Sequence, residues 1–262
     1  MSNRKTGDRG TTDNGLPAVW QGNDWRVLGA LPPAAATLAR CTRASDKLAS
    51  WTIKTLPESE WGKASLEPIT DLWTFDQNGR GSCACEAVTA CAMCALHQET
   101  GRLVTFNPWV LYALVTTRDV GSDAAGNAEM AQQIGLCPMA KWDRETHGWP
   151  SLPPDYKTLC EPYTVLTTMI AETLAELVTC LELRIPGSIG VTWSGGGGHQ
   201  IQAVRWDKAR DGLVTKNSWG PDYAGTWTKP TYDLLPRRQV ESGLQTFGGA
   251  VMILSVKLST TP

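Results

Sequence analysis

No apolar run in this sequence approaches the roughly 18 to 20 residues needed to cross a bilayer, and its opening, MSNRKTGDRGTTDNG, lacks the apolar stretch of a secretory signal. No membrane association is therefore expected, and a cytoplasmic protein is. Like charges form no block, and the formal net charge is only -2. The electrostatic footprint of a nucleic-acid binder is missing, so no nucleic acid is expected as a partner. Phenylalanine is scarce, three residues against twelve tryptophans, and scattered tryptophans read as packing anchors rather than a binding surface. No internal repeat or low-complexity tract is present.

What is present suffices for a core. With 262 residues and 42% apolar content, the chain can form one large domain or two small lobes. Eight cysteines are many for a reducing compartment. Cys83, Cys85, Cys91 and Cys94 fall on what reads as one helix, whose rigidity makes pairing among them geometrically poor. Cys41, Cys137, Cys160 and Cys180 could pair by counting alone, but most of the eight read as reduced thiols. A C-x-C…C-x-x-C zinc cluster is the weaker reading, because the four side chains point in different directions and no companion Cys/His pair supports it.

Residues 1 to about 50 join a polar tail to LPPAAATLARCTRASDKLAS, which is helix-compatible after Pro33. They read as an N-terminal extension over 1–55, a short pro-region or a docking arm for an assembly partner. The first clear helix, CACEAVTACAMCALHQE over 83–99, contains no Gly or Pro, follows Ser82 as an N-cap and stops before Gly101. Its small side chains mark a buried helix that neighbours approach closely. Asn107-Pro108 announces a second helix through WVLYALV. AEMAQQI forms a short helix after the breaker GSDAAG, and the Pro-rich DRETHGWPSLPPDY reads as a surface loop. Over 168–182, Ile170, Leu174, Leu177, Val178 and Leu181 form one helical stripe. SIGVTW, HQIQAVRW and GLVTKNSW then read as strands separated by SGGGG and DKARDG. Helices first and strands later indicate an α+β chain with two lobes.

Cys83 stands where the turn DQNGRGS becomes the first helix. There the macrodipole and free N–H groups favour an anion and lower a thiol pKa. If HQIQAVRW and GLVTKNSW form a hairpin centred near Lys208, residues whose numbers sum to about 416 face one another. His199 and Asn217 meet that condition, and an Asn beside a His fixes the ring's orientation and tautomer. His97, at a helix end, and His147, in a Pro/Gly loop, read as surface residues. SGGGG precedes a strand and carries no Lys-Ser/Thr, so it is no phosphate loop; it lets backbone pass close to a substrate or bend sharply into His199.

This constellation resembles the papain-like cysteine peptidases, in which a glutamine precedes the nucleophile by six residues, a histidine begins a later strand and K-N-S-W-G carries an asparagine. Gln77 and Cys83 have that spacing in QNGRGSC, His199 begins HQIQAV, and Lys216 to Gly220 read KNSWG. LPESEW at Leu56 to Trp61 is similar to the start of a mature domain, and FNPWVLYAL to the second helix. Over about 56–262 the resemblance implies an α+β, two-lobed papain-like fold. A helical lobe (about 77–165) with a central Cys-bearing helix would pack against an antiparallel β-barrel-like lobe (about 166–262). It also implies that Cys83 is the nucleophile, His199 its ion-pair partner and general acid/base, and Asn217 the residue that orients His199. Trp219 would shield that hydrogen bond, and Gln77 would donate to the oxyanion beside the Cys83 N–H. The implied reaction cleaves a peptide or protein substrate through a thioester, with no cofactor and no metal.

Departures from the pattern are Ala84 in place of an aromatic residue, Glu86 in place of an apolar one, Arg80 in place of a half-cystine, Gly198 before the histidine, and SGGGG in place of a longer excursion. The cleft is expected to be more open or more mobile on that side. The alternatives are a catalytically silent module within a larger assembly, and a transpeptidase or amidase using the same Cys-His chemistry.

Overall fold

The computed structural model describes residues 9–11, 17–21, 24–193 and 196–258. Ser194 and Gly195 of SGGGG, and residues 1–8, 12–16 and 22–23 of the N-terminal extension, lie outside the described residues. The N-terminal part opens with a small antiparallel sheet of β1 (Arg9–Thr11), β2 (Pro17–Gln21) and β3 (Asp24–Val27). It continues through residues 28–34 into α1 (Ala35–Arg40) and α2 (Ala44–Ser50). Leu28, Ala44 and Leu48 are buried in the main core, and the Thr42 carbonyl accepts from the Ile170 N–H at 2.8 Å. Residues 28–48 are thereby packed against the rest of the molecule.

After α3 (Glu67–Thr70) comes the central helix, α4 (Cys83–Thr100). Every residue from Cys83 to Leu96 is buried, which a run of Ala, Cys, Val and Thr permits because neighbours can approach on all sides. Gly101 ends the helix in the left-handed conformation at φ 69°, as a C-terminal glycine does without a Cβ penalty. Ser82 holds the N-cap position but does not cap; its hydroxyl donates to Glu86 Oε1 at 3.3 Å. In α5 (Pro108–Val115) the expected cap is made, with Asn107 Oδ1 accepting from the Trp109 N–H at 2.9 Å. The next helix, α6 (Ala124–Gln133), begins inside GSDAAG, because Asp123 Oδ1 accepts from the Gly126 N–H at 2.6 Å. A stretch read as a breaker is thus a helix start, and α7 (Tyr156–Cys160) follows it.

The stripe over 168–182 divides in two. Ile170 belongs to a strand, β4 (Val165–Ala171), and only the rest is helical, as α8 (Leu174–Glu182). The boundary is a capping box: Thr173 Oγ1 accepts from the Glu176 N–H at 3.2 Å, and Glu176 Oε2 accepts from the Thr173 N–H at 3.1 Å. The chain ends with β5 (Gly187–Thr192), β6 (Gly198–Asp207), β7 (Gly212–Lys216), β8 (Tyr232–Pro236), α9 (Arg237–Thr246) and β9 (Ala250–Val256). Together with β4 these five strands form one antiparallel sheet in the order β4-β9-β5-β6-β7-β8. Helix α4 packs on β5, β6 and β9, so its buried face is the seam of an α+β fold.

The β6–β7 hairpin forms with a different register from that expected. Asp207 pairs with Gly212 and Arg205 with Val214; past a bulge, Ala203 pairs with Thr215 and Gln202 with Lys216. The turn is the loop 208–211, with Asp211 left-handed at φ 49°, so its centre lies beyond Lys208. His199 and Asn217 are not ladder partners. Asn217 lies just past β7, where its N–H donates to the Thr231 carbonyl at 2.8 Å, and only its side chain returns toward His199.

Thr173→Ala removes one half of the capping box and is expected to cost about 1 kcal/mol of stability, read as a lower midpoint in urea unfolding at unchanged m-value. An unchanged midpoint would show that α8 is held by packing alone.

Candidate active site

The two motifs read separately in the sequence are one construction. The Gln77 N–H donates to the Ser218 carbonyl and the Gly220 N–H to the Phe75 carbonyl, both at 2.9 Å. The turn DQNGRG is thereby stitched to KNSWG. Gly220 is at φ +79°, and a Cβ there would lie 2.3 Å from Asp76 Oδ2, so the last position of KNSWG excludes a side chain. Lys216, its first residue, is buried; its ammonium donates to the carbonyls of Thr70 and Trp73. Burial lowers the Lys216 pKa to about 8.

His199, near the start of β6, is fully buried. Its Nε2 is 2.8 Å from Asn217 Oδ1, which also accepts from the Ser218 N–H at 2.8 Å. A carboxamide oxygen already taking one N–H bond is an acceptor, so Nε2 carries the ring proton. Nδ1 is then the basic nitrogen, and it is buried with no hydrogen-bond partner among the described residues. Trp219 stacks on the imidazole at a centroid distance of 4.5 Å, and Trp193 meets it edge-on at 5.3 Å. Trp219 thus covers one face of the ring, and Trp193, the end of SIGVTW, is an aromatic neighbour with no local signal to single it out.

Cys83 begins α4 and clusters with Ala30 and Phe247. Ala30 comes from the N-terminal segment, which threads between backbones. The Ala30 N–H donates to the Gly198 carbonyl at 2.8 Å, the Ser122 N–H to the Gly29 carbonyl at 3.0 Å, and the Leu31 N–H to the Ser122 carbonyl at 3.0 Å. A Cβ on Gly29 would lie 2.4 Å from Gly81 Cα, one on Gly121 would lie 2.1 Å from the Gly29 oxygen, and one on Gly198 would lie 2.2 Å from the Ala30 oxygen. Gly198, whose presence before the histidine was a departure from the pattern, is what lets this segment pass. The cleft expected to be open is filled.

Closure reverses the electrostatics expected from the sequence. Burial pushes the Cys83 thiol up to about 11, although backbone groups of Gln200, Gly29 and Ala84 hydrogen-bond to it, and burial pushes His199 down to about 4 against its bond to Asn217. Both shifts favour the neutral forms, so burial works against a thiolate–imidazolium pair in this state. Gln77, the expected oxyanion donor, has its Oε1 accepting from the Ser218 hydroxyl at 3.0 Å and its Nε2 donating to the Arg80 carbonyl at 2.5 Å. Arg80, in the half-cystine position, lies over the rings of Trp109 and Trp149, each at 5.2 Å. Glu86 is fully buried beside Arg144 at 3.8 Å, and burial raises its pKa to about 8. It is mostly neutral at pH 7.

The other candidates lie elsewhere. All eight cysteines are free. The Cys85 sulfur sits 3.7 Å from the Ser122 hydroxyl, and Cys91 and Cys94 are in the main core. His147 stacks on Trp142 at 3.7 Å.

No protein-family model and no curated protein matches the sequence. Solved structures do match. Xylellain, a cysteine protease from Xylella fastidiosa, superposes with a TM-score of 0.67 at 17% identity, over 88% of this chain and 96% of that one. The fold is papain-like. The ragweed pollen allergen Amb a 11, a cysteine protease in its proform, is similar with a TM-score of 0.62 at 15% identity, over 88% of this chain and 75% of that one. Procathepsin L 3 of Tenebrio molitor larval midgut gives 0.56 at 16%, over 71% and 66%. The 88% shared with the first two is more than residues 56–262 account for, so the papain-like superposition includes part of the N-terminal segment.

In the full chain at pH 7, Cys83 should be alkylated by iodoacetamide roughly a hundredfold more slowly than a thiol of ordinary pKa, with the rate climbing as pH rises toward 11. Modification of Cys83 at an ordinary rate, followed by mass spectrometry of the peptide, would contradict the closed site. Gly121→Ala, which drives a Cβ into the Gly29 carbonyl, should dislodge the segment and accelerate the same reaction.

Proposed function

We propose that this chain is a papain-like cysteine peptidase that is latent while residues 28–33 occupy its cleft. The observation that carries this reading is the His199 imidazole. Among the described residues one nitrogen is fixed by Asn217 and the other has no partner, while the Cys83 thiol hydrogen-bonds with the backbone of Gln200, the residue that follows His199. Once the segment leaves, water and substrate reach both groups and the desolvation that keeps them neutral is relieved. The Cys83 proton passes to His199 Nδ1, and the helix amino end favours the thiolate. The thiolate attacks a peptide carbonyl. The oxyanion is met by the Cys83 N–H and by Gln77 Nε2 once the latter turns from the Arg80 carbonyl. His199 then protonates the leaving amine, and water clears the thioester.

The test is cleavage of an unfolded protein substrate. A chain lacking residues 1–33 is expected to cleave at least about tenfold faster than the full chain, and Cys83→Ala or His199→Ala in the shortened chain should lose roughly a thousandfold or more. Equal rates for full and shortened chains would remove latency. Turnover that survives Cys83→Ala, or no turnover in any form, would instead support a silent papain-like module.

A further inference from the structure

The Asn217 carboxamide has two ends, and the sequence resemblance accounts for only one of them. While Oδ1 faces His199, Nδ2 donates to Oδ2 of Asp233 at 2.8 Å. Asp233 lies on β8 and is completely buried. Its Oδ1 accepts from the Tyr223 hydroxyl at 2.7 Å, the Thr226 N–H at 3.0 Å and the Thr226 hydroxyl at 3.1 Å. Burying a carboxylate is costly unless donors satisfy it. Here each oxygen accepts from an N–H that can only donate, and these four donor groups are neutral; the Asn217 amide is the one of them that leads on to His199.

Resting on the peptidase reading, we propose that Asp233 is a positioning residue for the reaction: it holds Asn217 Nδ2, so that Oδ1 faces His199 Nε2–H, and through that polarised amide it steadies the imidazolium formed during turnover. The chain His199–Asn217–Asp233 runs from the ring to a buried anion through two hydrogen bonds of 2.8 Å, and polarisation along such a chain strengthens each bond. Tyr223 and Thr226 fix the far oxygen, so the carboxylate cannot rotate away without losing several bonds at once. Tyr223 also meets Trp219 edge-on at 5.0 Å, which ties the anion's support to the ring that covers His199.

The experiment uses the full chain and two readouts. The first is the ring N–H signal of His199 by proton and nitrogen NMR at pH 7, which needs no turnover and is assignable because the chain has three histidines. Asp233→Asn is expected to move this signal upfield and quicken its exchange with water; an unchanged signal overturns the proposal. The second is peptidase kinetics after displacement of the segment by Gly121→Ala. Asp233→Asn should lower kcat about tenfold at constant KM and add nothing in an Asn217→Ala background; an equal further loss in that background also overturns it. If Asp233→Asn does not fold, Asp233→Ser serves the same comparisons. An NMR shift in a chain that shows no peptidase activity would leave Asp233's hold on His199 intact and defeat the peptidase reading instead.

Discussion

The hydrogen bond between His199 Nε2 and Asn217 Oδ1, 2.8 Å long in a site that water does not reach, sets the task of every group around it. It assigns the ring proton to one nitrogen and leaves the other with its lone pair free of a proton. For that bond to keep its direction the carboxamide has to be held at both ends, and it is, by the Ser218 N–H at the oxygen and by Asp233 at the nitrogen. The backbone carrying Asn217 has to be held too. It is pinned on one side to Thr231 and on the other to the segment Phe75–Gln77. Trp219 and Trp193 enclose the ring, which keeps competing water from the bond. KNSWG is thus less a string of separate roles than a strap whose residues fix one amide.

The same enclosure creates a conflict. A buried thiol and a buried imidazole both prefer to be neutral, whereas thiol chemistry needs the charged pair. The N-terminal segment takes the conflict to its limit by placing Ala30 against Cys83 and its own amide against Gly198. Backbone approaches closer than any Cβ allows, at Gly29, Gly121 and Gly198, make that insertion possible. The closed state is therefore specified by glycines distributed over three parts of the chain. Glu86 follows a similar logic: burial keeps it largely protonated near neutral pH, so it sets little fixed negative charge beside Cys83.

Much of this was legible in the sequence where the information is local. The small residues of 83–99, the Asn107-Pro108 cap and the three β-prone runs each produced the expected element, because caps and side-chain size act within a few residues. Ile170 was misplaced because its apolar spacing suits a helix, while pairing with Val251, some eighty positions later, makes it a strand residue. The hairpin brought His199 and Asn217 together in reading and in structure, but by different routes: the expected register was off by two to three positions, and the side chain of Asn217 closes the gap from outside the ladder. Asp233 and Trp193 had no local signal, since their roles depend on which strand end lies beside KNSWG. The path of residues 28–31 was equally hidden, because it depends on distant glycines meeting.

Covalent labelling by an epoxide thiol inhibitor, mapped by mass spectrometry over all eight cysteines before and after residues 1–33 are removed, bears most directly on the central claim. Little label is expected in the full chain, and label on Cys83 alone in the shortened chain at neutral pH, lost with His199→Ala. Label spread to Cys85, or none on Cys83 after the segment is gone, would contradict it.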